Sequence, residues 1–537
     1  MARMVMMSTF LFKSLFIFWY RFFFRPLRGL RRSTSNVITT TFAIATHKYP
    51  SILNRSDLNE HTIVFDVEGT LLKSSSMFPY LMLVAFEAGG FLRAMVLLLI
   101  YPFVWLVGDE MGLRIMVMVC FFGVKVESFR VGRAVLPKLF LEDVGLEMFE
   151  VINRGSKKVG LSKLPRVMVE SFLKEYLEID FVVGRELKVW NGFFVGLMEE
   201  TNITNMHHAL EIVREGKGNF SHVIGISGFH KDHHHNSLFS PCKEIYMVAE
   251  ADKKNWQNLA KDKYPKPLIF HDGRLALRPT PLTTLALLMW APFGFTLALF
   301  RAIVGLTLPQ NIIKPIFAFT GFRLTTSMPT TSNKPKAHNL YVCNHRTLFD
   351  PLYITFILGK ELVAVIYSLS RISEILAPMK TVRLTRNRHD DAKKMKDLLK
   401  QSDIVVCPEG TTCREPYLLR FSPLFSELCH EIVPVAIDSH VTMFHGTTAG
   451  GRKFLDPLFF FMNPYPYYNV KVLEKVSPSI SLANHDDEDA RFEVANHVQT
   501  QIGKALGFQC TKLTRKDKYL VLAGNEGVIS TTKSGES

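Results

Sequence analysis

Four short blocks between residues 344 and 436 carry residue types that can do chemistry. The first is Asn344-His345-Arg346-Thr347-Leu348-Phe349-Asp350, just after the apolar run Leu340 to Val342. A histidine and an aspartate five positions apart cannot stack on one regular helix face. A turn entering a helix can bring them together, and Pro351 suits the first helical position. A carboxylate that accepts from one imidazole nitrogen fixes the tautomer and steadies positive charge on the ring. The other nitrogen is then free to take a proton from an attacking hydroxyl. An isolated pair of this kind is more often a histidine capping a helix beside an aspartate bonded to its own backbone.

The second block, Lys380-Thr381-Val382-Arg383-Leu384-Thr385-Arg386, reads as a strand. Alternation places Thr381, Arg383 and Thr385 on one face with Arg386 at the end, a pattern that also suits a solvated edge strand. The third, Pro408-Glu409-Gly410-Thr411-Thr412-Cys413-Arg414, leaves the buried run Ile404 to Val406. A Gly-Thr-Thr turn exposes backbone N–H groups, Glu409 suits an acceptor hydroxyl, and Arg414 can fork onto phosphate. Alone, the block also reads as an ordinary strand-to-helix turn. The fourth, Val433-Pro434-Val435-Ala436, is an apolar strand able to line an acyl groove.

The elements needed to position these blocks are legible. Leu340 to Val342, Ile404 to Val406 and Ile432 to Val435 are buried strands separated by helical stretches, so residues 339–511 form an α/β domain. A polar segment, 327–338, is its linker, and the polar tail 512–537 is expected to fray. Upstream, Thr62 to Phe65 leads into Asp66-Val67-Glu68-Gly69-Thr70, a strand ending in a tight loop, and Leu161 to Val195 mixes helical spacing with short strands. Residues 57–275 thus form a first α/β domain.

Pro281 to Phe300 runs about 20 residues without a formal charge, enough to cross a hydrocarbon core of ~30 Å. Pro292 and Gly294 suggest a kink or a re-entrant hairpin there, and 276–326 is assigned to transmembrane or re-entrant helices. Phe91 to Val107, with Arg93 its one charge, fits either a membrane helix or a buried cap helix. Residues 1–56 combine a Phe- and Leu-rich run with Arg25, Arg28, Arg31 and Arg32, which reads as an interfacial anchor with cytosolic arginines; a mitochondrial address is the rival.

The 537-residue length supports two folded domains, and 47% hydrophobic against 21% charged residues leans toward a membrane protein. Lys and Arg number 64 against 49 Asp and Glu, a net +15 that suits an anionic leaflet or a phosphorylated substrate. Nucleic acid is disfavoured: no zinc-finger spacing, aromatic RNA-binding motif or long basic run is present. Seven scattered cysteines without Cys-x-x-Cys indicate neither a disulfide framework nor a zinc site.

In order, spacing and residue type the four blocks resemble the glycerolipid acyltransferase superfamily, with its His-x4-Asp, Arg-containing strand, Pro-Glu-Gly-Thr and apolar-Pro strand. The wording of the blocks is similar to land-plant glycerol-3-phosphate acyltransferases that make precursors of extracellular lipid polyesters such as cutin and suberin. The resemblance runs from about Asp57 to Gly524. It implies His345 and Asp350 as catalytic residues and Arg383, Arg386, Glu409, Gly410, Thr411 and Arg414 as substrate-binding. It further implies acyl-CoA as co-substrate, no tightly bound cofactor or metal, glycerol 3-phosphate as acceptor acylated at the 2-position, and lysophosphatidic acid as product. No obligate protein partner is evident. An integral protein of the endoplasmic reticulum with a cytosol-facing site is expected, a mitochondrial membrane being the alternative. Acylation of lysophosphatidic acid is the rival within the same chemistry.

Asp66-Val67-Glu68-Gly69-Thr70 is similar to the first motif of haloacid-dehalogenase-type phosphatases, Asp-x-Asp-Gly-Thr, and Ser162 stands where a phosphate-contacting Ser or Thr is expected. That resemblance implies a Rossmann-type fold for the first domain. Glu68 replaces the acid-base aspartate, and the segment 225–235 offers only Asp232 where paired metal-binding acids are expected. The set Asp66, Glu68 and Ser162 therefore reads as a degenerate phosphatase site. His233, His234 and His235 read as a polar surface loop. The remaining alternatives are a bifunctional acyltransferase and phosphatase releasing monoacylglycerol, a phosphatase alone, or a membrane tether.

Overall fold

The computed structural model describes residues 45–199, 223–228, 238–239, 241–329, 338–367, 374, 377–428, 431–450, 452–477 and 488–525. Of the anchor segment 1–56, residues 1–44 lie outside them, as does the histidine run with Asp232, whereas Ala45–Lys48 is a strand of the first unit's sheet. The chain divides into two compact units, residues 1–268 with 278–288, and residues 269–277 with 289–537.

The first unit holds the strands β1 (Ala45–Lys48), β2 (Thr62–Asp66), β3 (Lys157–Pro165), β4 (Phe181–Arg185), β5 (Leu187–Trp190), β6 (Phe193–Met198), β7 (Val223–Gly228) and β8 (Glu244–Val248). Six of them make one sheet in the order β1-β8-β7-β2-β3-β4, every neighbouring pair parallel, and β5 with β6 forms a separate antiparallel hairpin. Strand β2 is central and buried at every position, as a parallel strand covered on both faces must be. Its carboxyl end delivers Asp66 into the crevice where ligands meet such sheets.

Of the stretch expected to be a membrane or cap helix, Phe91 to Val104 lie in the helix Phe78–Val104, kinked at Gly90, whose φ of 74° only glycine takes without strain, and the last three residues lie beyond its end. Phe78 to Phe86 are buried, whereas Leu92, Leu99 and Phe103 are exposed. Arg93 caps the next helix, Asp109–Phe121, by donating to the Cys120 and Phe122 carbonyls at 2.6 and 2.9 Å.

The second unit carries β9 (Arg323–Ser327), β10 (Leu340–Cys343), β11 (Val363–Ile366), β12 (Thr381–Arg383), β13 (Ile404–Val406), β14 (Tyr417–Leu418), β15 (Ile432–His440), β16 (Tyr467–Val472) and β17 (Gln509–Cys510). Its main sheet runs β12-β11-β13-β10-β15-β16-β9, with β15 and β16 antiparallel and the other pairs parallel. Leu340, Val342, Ile404 and Ile432 meet Val498 and Ile502 of the helix Glu488–Leu506 in its core. Each such fully buried side chain contributes about 1.5–3 kcal/mol.

The helix Pro281–Thr307 is continuous, so the re-entrant hairpin expected at Pro292 and Gly294 does not form. Gly294 instead allows close approach, because a Cβ there would stand 3.1 Å from the Met462 carbonyl oxygen. Trp290 donates to that same carbonyl at 2.8 Å, and the fully buried Arg301 donates to the Phe461 and Asn463 carbonyls, each at 2.7 Å. Phe293, Phe300 and Ile303 remain exposed. This helix and Phe78–Val104 are both long and apolar enough to cross a membrane.

The tail departs from expectation. Arg515–Ala523 is a helix opened by a capping box, in which Asp517 accepts from the Thr514 N–H at 2.7 Å and hydroxyl at 2.6 Å. Lys518, Leu522 and Ala523 are buried. Polar composition hid a packed helix.

Candidate active site

In the second unit the chemistry-bearing blocks follow the carboxyl ends of parallel strands of one sheet: residues 344–350 after β10, 407–414 after the adjacent β13, and 384–386 after β12, which β11 separates from β13. Asn344 extends the β10–β15 ladder with its side chain, donating to the Ile437 carbonyl at 2.8 Å and accepting from its N–H at 2.7 Å. The backbone can therefore leave the sheet at His345 without stranding β15.

His345 Nδ1 lies 2.8 Å from Asp350 Oδ2. Asp350 is fully buried, opens the helix Asp350–Leu358, and accepts from Arg346 N at 2.6 Å, Thr347 N at 2.9 Å, Thr347 Oγ1 at 3.2 Å and Tyr468 OH at 3.1 Å. Its side chain has 0% exposure while that of His345 has 21%, so the orienting group is sealed and the ring can be reached. Burial opposes protonation of the imidazole, but the Cys407 sulfur and the Asp350 carboxylate outweigh it and hold the ring well above its usual value. Cys407 sits beside it, its Sγ 3.4 Å from that of Cys343. The Cys343 hydrogen bond lowers the Cys407 thiol against the effect of burial, with the His345 ring adding to the shift, to about 6.

Glu409 is a clamp in this geometry. Its carboxylate accepts from His345 N at 2.7 Å and Leu419 N at 2.8 Å, and burial pushes it up to about 7. Gly410 has φ +64°, which explains the glycine, but its N–H is engaged by the Cys407 carbonyl at 3.1 Å. Thr411 Oγ1 and Thr412 Oγ1 each lie 3.2 Å from the buried Lys518 Nζ, which fastens the loop from the C-terminal helix.

The three expected arginines separate. Arg386 lines a cavity of about 470 Å³ together with Glu409 and Gly410. Arg383 pairs with Glu374 at 2.6 Å. Arg414 turns away from that cavity, its Nε donating to Thr447 Oγ1 at 3.0 Å and its other end lying 3.4 Å from Asp272. Arg388, Arg420 and Arg515 line the same cavity as Arg386, and no motif in the sequence pointed to them. For Arg515 and Lys518 the available signal was the capping box Thr514-x-x-Asp517.

In the first unit Asp66 ends β2 and its Oδ1 accepts from Gly69 N at 3.0 Å. Glu68 turns into the pocket of Ser162: its carboxylate accepts the Ser162 hydroxyl and, at 3.1 Å, the Lys163 N–H. Burial and the adjacent Asp66 raise its pKa. The Ser162 hydroxyl, expected from the resemblance to contact phosphate, thus already holds a carboxyl group. Among the described residues no group of three or more His, Cys, Asp or Glu side chains is arranged to hold a metal.

Comparison with known proteins bears on both units. A family model described as "Glycerol-3-phosphate acyltransferase RAM2-like, HAD-like domain" matches residues 62–248, and one described as "Acyltransferase" matches residues 326–438. Similar proteins include "Probable glycerol-3-phosphate acyltransferase 2" of Arabidopsis thaliana, 55% identical over 96% of this chain and 98% of that protein. "Probable glycerol-3-phosphate acyltransferase 3" of the same plant is 54% identical over 97% and 98%. "Glycerol-3-phosphate acyltransferase RAM2" of Petunia hybrida is 41% identical over 87% and 98%.

Proposed function

The chain belongs to the plant glycerol-3-phosphate acyltransferases, and from that premise we propose that it moves a fatty acyl group from acyl-CoA to the 2-hydroxyl of glycerol 3-phosphate, releasing lysophosphatidic acid. The observation that carries the reading is the His345–Asp350 pair, a reachable imidazole on a buried carboxylate at the carboxyl end of β10.

With Nδ1 held by Asp350, Nε2 of His345 takes the proton as the acceptor hydroxyl attacks the thioester carbonyl. The carbonyl π electrons move to oxygen. When they return, the C–S bond breaks and coenzyme A leaves as a thiolate, which is far less basic than an alkoxide and needs little protonic help. The proton on His345 then passes to the thiolate or to solvent. Neither a covalent intermediate nor a tightly bound cofactor is required. Arg386 in its cavity is the candidate holder of the acceptor phosphate.

The two long apolar helices support a membrane-bound enzyme drawing its donor from the bilayer surface. We place it in the endoplasmic reticulum, with the site toward the cytosol where acyl-CoA is found, supplying precursors of extracellular lipid polyesters. In this reading the first unit retains the phosphatase fold without the activity. Purified protein given glycerol 3-phosphate or lysophosphatidic acid with a labelled acyl-CoA tests the proposal. Label should enter lysophosphatidic acid from the first acceptor. Label appearing only in phosphatidic acid from the second would reject it.

A further inference from the structure

The cavity at Gly410 gathers Arg386, Arg388, Arg420 and Arg515 against two carboxyl groups, those of Asp391 and Glu409. Both acids are turned toward the chain itself. Asp391 accepts from Thr385 N and Arg386 N, each at 2.8 Å, and Glu409 accepts from His345 N and Leu419 N. The guanidinium groups therefore outnumber carboxylates that are already shared with backbone N–H groups. Burial and then the nearness of Arg386 depress the Arg515 pKa, as expected of like charges gathered in one place.

The cations are also held in place. Arg420 stacks 4.1 Å over the Phe492 ring and Arg515 lies 5.1 Å over Tyr519. Arg386 has a left-handed backbone, φ +73°, a conformation a non-glycine residue keeps only when its surroundings enforce it, here through Asp391.

We propose that Arg420 and Arg515 join Arg386 in binding the phosphate monoester of a substrate, which makes the helix Arg515–Ala523 part of the active site. The inference rests on the acyltransferase reading above. A phosphate monoester is a compact dianion that fits several guanidinium forks at once. Two substrates of the reaction carry one: glycerol 3-phosphate, and the 3′-phosphate of coenzyme A. Glu409 forms part of the cavity wall and also clamps the His345 backbone, so the cavity and the base are joined through a single side chain. That proximity suits a three-carbon acceptor whose hydroxyl must reach His345.

The test uses full-length protein in detergent, comparing the parent with Arg420→Gln and Arg515→Gln, which keep most of the stem lying over the rings. Labelled glycerol 3-phosphate binding is measured without any acyl donor, and steady-state rates are measured with an acyl-CoA and with its 3′-dephospho analogue. Each variant should weaken one phosphate-bearing substrate by about 10- to 100-fold. Weakened glycerol 3-phosphate binding with an unchanged preference for acyl-CoA over the dephospho analogue assigns the cavity to the acceptor. Loss of that preference with unchanged acceptor binding assigns it to the donor. Either supports the proposal, and near-parent values in both measurements overturn it. Should a glutamine variant unfold, Arg420→Lys and Arg515→Lys read the same constants. They should keep the charge, lose the fork and show a smaller loss. Binding without a donor does not need His345 as base, so His345→Ala, which should bind the acceptor normally and not turn over, separates failure of the cavity from failure of the catalytic reading.

Discussion

His345 Nδ1 lies 2.8 Å from Asp350 Oδ2, and the carboxylate that holds the ring is itself held by the Arg346 and Thr347 N–H groups and by Tyr468 OH. The base is therefore set by a preorganised loop rather than by one contact. His345→Ala should lower kcat by about 10²–10⁴-fold, the usual worth of general-base assistance. Tyr468→Phe removes one donor and leaves the pair intact, so it should cost far less. Initial rates with saturating substrates measure both. A His345→Ala enzyme retaining a tenth of the activity would remove the residue from the mechanism.

The pH profile follows from the same geometry. His345 acts only when neutral, and its pKa is held above the ordinary histidine value of 6.5. Activity should therefore fall as pH drops through that raised value. Glu409, pushed up to about 7, acts in the same direction, since protonation replaces an acceptor oxygen with a donor opposite the His345 or Leu419 N–H. Asp350→Asn removes the charge that favours the imidazolium, so the acid limb of its residual kcat/KM should move to lower pH. A limb unmoved by that change would mean another group titrates.

Arg414 and Arg386 should behave differently. Arg414 and Asp272 have side chains only 10% exposed, so Arg414→Ala leaves a buried carboxylate without its cation. That loss lies near the lower end of the roughly 3–5 kcal/mol typical of a broken buried pair, because Asp272 also accepts from Ala449 N and Gly450 N. Thermal unfolding should show a lower Tm, while the KM for glycerol 3-phosphate in the folded fraction stays near parent. Arg386→Ala should do the reverse, raising that KM by about one to two decades with little change in Tm. Equal KM effects from the two variants would contradict this assignment.

Cys407 should be the fast-reacting thiol of the centre. The Cys343 hydrogen bond holds its thiol below the usual cysteine value, whereas burial raises that of Cys413 to about 12. Limited iodoacetamide treatment at pH 7 followed by peptide mass spectrometry should find Cys407 modified well before Cys413, with loss of acyl transfer in step. Prior incubation with an acyl-CoA should slow both. Simultaneous labelling of the two cysteines would remove the basis for the prediction.

What the sequence conveyed depended on how local the determining interactions are. Strands β2, β10 and β13 and the pairing of His345 with Asp350 come from short runs whose burial and turn chemistry are self-contained. The two α/β folds were legible for the same reason. The contacts of Arg414 were not, because its partners Asp272 and Thr447 lie 142 and 33 residues away. Arg420 and Arg515 belong to no motif block and converge only in the folded unit. The tail 515–523 looked frayed because its composition is polar; what orders it is the burial of Lys518 against Thr411 and Thr412, again a distant contact. Pro292 suggested a break, yet the helix Pro281–Thr307 passes through it, anchored on either side by Trp290 and Arg301.

The last prediction concerns what leaves the enzyme: the product should keep its phosphate. Asp66 ends the central strand in the position of a phosphoryl nucleophile, but attack alone does not complete hydrolysis. A departing alkoxide needs a proton and the transferring phosphoryl group needs its charge neutralised. Glu68, one methylene longer than aspartate, does not wait beside a leaving group. Its carboxyl group accepts the Ser162 hydroxyl and the Lys163 N–H, so it occupies the hydroxyl expected to contact phosphate. Lys253, buried at 2% exposure, donates to the Glu68 carbonyl oxygen at 3.0 Å and helps fix the turn in that form. Incubation with glycerol 3-phosphate, acyl-CoA and Mg²⁺ should accumulate lysophosphatidic acid and release no inorganic phosphate, in the parent and in Asp66→Asn alike. Glu68→Asp withdraws the carboxylate from Ser162, so it should relieve the obstruction first and admit a phosphate analogue such as vanadate more readily than the parent. Monoacylglycerol formed by the parent and lost in Asp66→Asn would establish a working phosphatase and overturn this account of the first unit.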